Sequence, residues 1–92
     1  MTALHTAALF NDADAISKCV DIAYDVNEQV QNGRTPLHFA CERGNLEAVT
    51  ELLKSNPDLK VKDIRGMTAL DYARREDHKA IENLIVSHGE AK

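Results

Sequence analysis

Four histidines and two cysteines have the widest chemical reach of any side chains in this chain. A histidine near neutral pH can carry a proton or bind a metal, and a deprotonated cysteine can act as nucleophile or ligand. The spacing favours neither use. His78 and His88 have no second histidine or cysteine at metal-ligand distance in sequence, so no zinc site is expected. Cys41 follows His38 along what reads as one helix, without the separate base and orienting group that an activated thiol needs. Cys19 and Cys41 form no Cys-x-x-Cys pair and fall on apolar phases, so two buried free thiols are expected. A disulfide is the lesser reading, because it would imply an oxidising compartment. The carboxylates Glu47, Glu51, Asp58 and Glu82 scatter over helices and loops and read as a solvated face. No G-x-G-x-x-G or P-loop pattern is present. The expectation is a chain that is not an enzyme, with no catalytic residue, metal or cofactor.

His5 and His38 belong to a larger pattern. Gly33-Arg34-Thr35-Pro36-Leu37-His38-Phe39-Ala40 reappears 33 residues later as Gly66-Met67-Thr68-Ala69-Leu70-Asp71-Tyr72-Ala73, and 33 residues earlier as Met1-Thr2-Ala3-Leu4-His5-Thr6-Ala7. Thr2, Thr35 and Thr68 keep this interval, as do Leu4, Leu37 and Leu70, and Ala7, Ala40 and Ala73. A fixed period of this length marks stacked supersecondary units, each burying its apolar face against the next.

The run Thr35-Pro36-Leu37-His38-x-Ala40, followed by Gly44-Asn45-Leu46-Glu47, resembles the ankyrin repeat, and the resemblance covers nearly the whole chain as three copies. It implies an all-α ankyrin-repeat solenoid of three helix-turn-helix repeats joined by short β-turn or hairpin loops. A single domain over residues 1–92 follows, with repeats at approximately 1–29, 30–62 and 63–92. In resembling proteins the histidine of the signature ties neighbouring turns together by hydrogen bonds, which gives His5 and His38 a structural role.

Each unit reads as a turn, a short inner helix, a reversal, an outer helix and a loop. Thr35 caps the middle inner helix, with Pro36 at its first position, where a missing N–H costs nothing. Leu37, Ala40 and Cys41 form its packed face. Gly44 permits the reversal, Asn45 caps the next helix, and Ala48, Val49, Leu52 and Leu53 are its apolar stripe. Asn56 suits a left-handed turn and Pro57 blocks continuation. In the third unit Thr68 caps, Asp71 meets the free N–H groups of the first turn, Asp77 replaces the reversal glycine and His78 takes the place of Asn45. Leu70, Ala73, Ile81, Leu84, Ile85 and Val86 are the expected core there. Glu82, in the place of Val49, suits a capping repeat. Gly89 is expected to stop the last helix, and Glu90-Ala91-Lys92 to fray. In the first unit the outer helix spans roughly Asp14 to Ala23, with Asp12 as cap and Ala15, Ile16, Cys19, Val20 and Ile22 as apolar residues. Ala23 stands where the family prefers glycine, so that turn is either altered or strained.

The resemblance places a partner on the concave side, built from turn tips and inner-helix edges. The matching positions are Gln31, Asn32 and Arg34 in the first turn, and Lys62, Ile64, Arg65 and Met67 in the second. Leu9, Phe10, Glu42, Arg43, Arg75 and Glu76 come from the inner helices. Ile64 and Met67 read as an exposed apolar centre ringed by Arg34, Arg65 and Arg75, a mixture that interfaces favour. The bland alternative is ordinary surface. The expected function is a protein-interaction module, adaptor or inhibitor, binding another protein through a segment of some acidic character. The alternative is a structural or self-associating segment, pairing through an N-terminal edge that carries Leu9 and Phe10. A monomer is expected in the first case and a homodimer in the second. The formal charge of −4 argues against a nucleic-acid binder. No apolar run approaches the roughly 18 residues of a membrane span, and no secretory leader is evident, so a cytoplasmic location is expected.

Overall fold

The computed structural model describes residues 2–90, and the expectation for Ala91 and Lys92 lies outside them. Among the described residues six α-helices follow in order: α1 (Ala3–Leu9), α2 (Ala13–Asp21), α3 (Pro36–Arg43), α4 (Leu46–Leu53), α5 (Ala69–Arg75) and α6 (Lys79–Glu90), with one turn of 3-10 helix at Gln31–Gly33. Among the described residues no strand forms. The inner helices α1, α3 and α5 pack side by side, and the outer helices α2, α4 and α6 do the same behind them.

Local chemistry sets the helix starts. Thr2, Thr35 and Thr68 sit at N-cap positions in extended conformation, and their hydroxyls accept from the amides of His5, His38 and Asp71. In the last two, the His38 and Asp71 side chains accept in return from the cap amide, which closes a capping box. Asp12 caps α2 through the Ala15 amide. Asn45 stands at the N-cap of α4 but makes no side-chain cap bond, contrary to expectation. Its amide instead donates to the carbonyls of Ala8 and Leu9 at 2.8 and 2.9 Å, filling acceptors left open at the end of α1. The side chain of Asn11, from the preceding unit, accepts from the Ala48 amide in its stead. His78 repeats the role of Asn45, with Nε2 against the Glu42 carbonyl at 3.2 Å.

Left-handed residues recur with the same period. Asn11, Gly44 and Asp77 make the reversals, with φ of 57°, 73° and 59°. Gly44 has a second reason to lack a side chain, because a Cβ there would stand 2.7 Å from the His78 ring. Ala23 and Asn56 are left-handed at the ends of the outer helices. The third member of that series, Gly89, does not stop its helix, which runs on to Glu90.

Ala23 carries φ of 69°, so the turn there is strained rather than rebuilt. Replacing Ala23 with glycine is expected to raise stability by roughly 0.5–1 kcal/mol, the relief of the Cβ clash less the added freedom of the unfolded chain. The urea midpoint measures it, and a lower midpoint for the variant contradicts the reading.

The core is continuous through all three helical pairs. Leu4, Ile16, Leu37, Leu52, Tyr72 and Ile85 are fully enclosed, each worth about 2 kcal/mol of transfer free energy. Ala7, Ala40 and Ala73 are buried between neighbouring inner helices, where small side chains permit close approach. Leu70, Leu84 and Val86, expected as core, are only half-buried, and Ile22 is exposed. Cys19 and Cys41 are buried free thiols. Burial pushes the Cys41 thiol up to about 12, so it stays protonated and unreactive. Among the described residues no helix is long and apolar enough to cross a membrane.

Candidate binding surface

Two loops precede α3 and α5 and form a pair of stacked fingers. The first closes through Val30 N–H to the Arg34 carbonyl (2.9 Å) and Gly33 N–H to the Val30 carbonyl (2.8 Å). The second repeats this from Asp63 N–H to the Met67 carbonyl (3.0 Å) and Gly66 N–H to the Asp63 carbonyl (2.9 Å). Ile64 N–H donates to the Asn32 carbonyl (2.9 Å), and the Gln29 amide bridges the carbonyls of Gly33 and Lys62, so the fingers are laced together. His38 anchors the second finger to α3. Thr35 N–H donates to its Nδ1, which therefore accepts, and Nε2–H donates to the Met67 carbonyl at 2.9 Å. His5 does the same with the Glu28 carbonyl at 2.8 Å. Burial holds both imidazoles below the usual histidine range. Asp63 braces the second finger from within, accepting from Arg65 N–H, Met67 N–H and the Tyr72 hydroxyl. Burial pushes its carboxyl up, but those three donors outweigh it and the group titrates below the usual carboxylate range.

Arg34 lies between the fingers and the inner helices. Its Nη1 and Nη2 fork onto Glu42 at 2.8 and 3.0 Å, and its Nε stands 4.0 Å from Asp63 Oδ2. The guanidinium also covers the rings of Tyr72 (4.7 Å) and Phe39 (5.2 Å). Only 16% of the side chain is exposed. The forked bond drives the Glu42 carboxyl down and the Arg34 guanidinium up, so this pair keeps its charges across the working pH range. Two recesses flank Arg34. One, of about 170 Å³, is lined by Val30, Gln31, Asn32, Arg34 and Phe39. The other, of about 230 Å³, is lined by Asn32, Arg34, Glu42, Asp63, Arg65 and Tyr72. Among the described residues no three histidine, cysteine or carboxylate side chains gather as a metal-ligand group.

Stacked helical pairs, paired fingers and signature histidines bonded across units are the geometry that the 33-residue period implied. Residues 4–92 also match the family model for ankyrin repeats, in three copies. The chain belongs to the ankyrin-repeat family. Its relatives include the SMC5-SMC6 complex localization factor protein 1 of Bos taurus, 34% identical over 96% of this chain and 8% of that protein. The E3 ubiquitin-protein ligase KEG of Arabidopsis thaliana is 34% identical over 90% of this chain and 5% of its own length. Ankyrin repeat domain-containing protein 40 of Homo sapiens is 34% identical over 85% and 22%. The chain thus spans less than a quarter of each of these relatives.

On this ankyrin scaffold the residues expected at the concave face divide into groups. Gln31, Asn32, Arg43, Lys62, Ile64, Arg65, Arg75 and Glu76 are exposed, Ile64 to 74%. Phe10 is 72% exposed and Leu9 half-buried. Two expectations need correction. Met67 is not an exposed anchor, since it packs against the core and its carbonyl holds His38. Arg34 is not a free cation, because Glu42 and two rings consume it. Arg75 pairs with Glu76 at 3.4 Å, an exposed contact of little strength. Of the cations expected at this face, Arg43, Lys62 and Arg65 make no ion pair among the described residues. Phe39 was missed in the sequence, although its alignment with Tyr72, 33 residues on, marks an aromatic phase of the inner helices. A wider groove of about 630 Å³ lies on the far side of α5 and α6, among Leu59, Leu70 and Val86, with the charged Asp71 and Arg74 where α3 has the buried His38 and Cys41.

Proposed function

We propose that this chain is a protein-binding module that holds a segment of another protein across its fingers and inner helices, acting as an adaptor or inhibitor. The observation that carries this is the contrast within the fingers. Their backbone is laced by hydrogen bonds, while the side chains of Ile64 and Arg65 at the tip are exposed and that of Arg65 makes no hydrogen bond or ion pair among the described residues. A rigid backbone presenting unengaged side chains lowers the ordering cost of association. One relative is named as a localization factor of a complex and another as a ubiquitin-protein ligase, and a protein as partner suits both names. With Arg43, Lys62 and Arg65 the unpaired charges on this face, an acidic segment is the complementary ligand.

The test is retention of proteins from the native source on the wild-type chain, on a chain carrying Arg43→Glu and Arg65→Glu, and on one carrying Lys18→Glu on the outer helix α2. The concave variant is expected to lose captured proteins and their salt-sensitive retention by roughly tenfold, and the α2 variant to keep them. Equal retention on all three chains rules the reading out. Self-association is the second reading, favoured by the exposure of Phe10. A sedimentation series that stays monomeric at high concentration excludes it.

A further inference from the structure

We propose that the concave face reads a two-part signal in its partner: one aliphatic side chain seated between Val30 and Phe39, with a carboxylate beside it on Arg65. This rests on the reading of the chain as a protein-binding module. The smaller recess has a size that decides its occupant. At about 170 Å³ it falls well below the roughly 300–1,000 Å³ of small-molecule pockets, and it suits a single side chain. Its walls are rigid. The Phe39 ring meets the His5 ring edge-on at 5.9 Å, and Arg34, which lines the recess beside Phe39, is fixed by its fork onto Glu42.

The neighbouring recess shares Asn32 and Arg34 with the first, so a single extended segment reaches both. The carboxylates there are engaged: Glu42 by Arg34, and Asp63 by Tyr72 and two backbone amides. The guanidinium of Arg65 is the charged donor that remains, exposed at the rim. A carboxylate on its outer side avoids Glu42 and Asp63 and meets a cation that no other side chain engages. A partner cation would meet two arginines and two carboxylates already satisfied.

The experiment selects displayed random linear peptides, about a dozen residues long, on the immobilised full chain. Enriched peptides are then synthesised and titrated against variants. They are expected to carry an aliphatic residue within one or two positions of an aspartate or glutamate. Val30→Lys keeps the backbone N–H while placing a charge in the recess, and should weaken binding about tenfold or more. Gln31→Trp, which occludes the same recess from its exposed rim, should do likewise if the first variant proves unstable. Arg65→Glu should weaken binding several-fold, and a peptide with its acidic residue changed to lysine should regain affinity for that variant. Peptides that ignore Val30, Gln31 and Arg65 but lose affinity on Arg43→Glu overturn this inference and leave the binding-module reading standing. Peptides indifferent to every concave variant, or a selection that enriches nothing, overturn both.

Discussion

Replacing His38 with alanine is expected to cost about 3 kcal/mol, a large share of the roughly 5–14 kcal/mol that a chain of this size commands. Three losses combine. The capping box at the start of α3 opens, worth about 1 kcal/mol. The Met67 carbonyl loses one of its two donors and keeps the Asp63 N–H, so this bond accounts for about 1 kcal/mol. The vacated space also removes packing against Tyr72, whose ring meets His38 edge-on at 5.8 Å. Because α3 touches both α1 and α5, the damage falls at the centre of the stack. His5→Ala should cost less, since its bonds with Thr2 are part-buried where those of His38 with Thr35 are buried. Urea unfolding of both variants measures the difference. A His38→Ala loss below about 1 kcal/mol would mean that the second finger stands without this bond.

How far this could be read beforehand depends on the range of each interaction. The period fixed the phase of every helix, and the caps at Thr35 and Thr68 followed because capping reaches only three residues along the chain. The left-handed reversal at Asp77 was legible for the same reason. What escaped were bonds between units. Asn45 reads as a cap by local rules, yet in the stack the open carbonyls of α1 compete for its amide and win. The bond from Ala48 to Asn11 spans 37 positions, and no local pattern announces it. On the surface the same limit applied. The arginines of the concave face could be counted in the sequence, but only the packing of α3 against α5 shows that Arg34 is enclosed while Arg65 is not. Gly89 erred the other way, because a glycine near a helix end favours a stop without compelling one.

Acidification is expected to destabilise this fold well before its carboxylates titrate. Burial lowers the pKa of His5 and His38 beneath the ordinary value of 6.5, so the unfolded chain takes up protons that the folded chain refuses. Their contribution is fully present above about pH 6.5 and is lost as pH falls toward the lowered folded values, at up to about 1.4 kcal/mol per pH unit for each histidine. Geometry gives the cause. In His38 the Nδ1 lone pair already receives the Thr35 amide, and a proton there would set donor against donor. Glu42 and Asp63 act in a separate and lower window, because their pKa values lie beneath the ordinary carboxylate values of 4.5 and 3.8. The support they give is lost only as pH falls from about those values downward. Urea unfolding at intervals between about pH 7.5 and 5 should therefore show proton uptake on unfolding, and His5→Asn or His38→Asn should each reduce it whatever its own cost in stability. A slope unchanged in both variants would detach the acid sensitivity of the stack from the bonds that join its fingers.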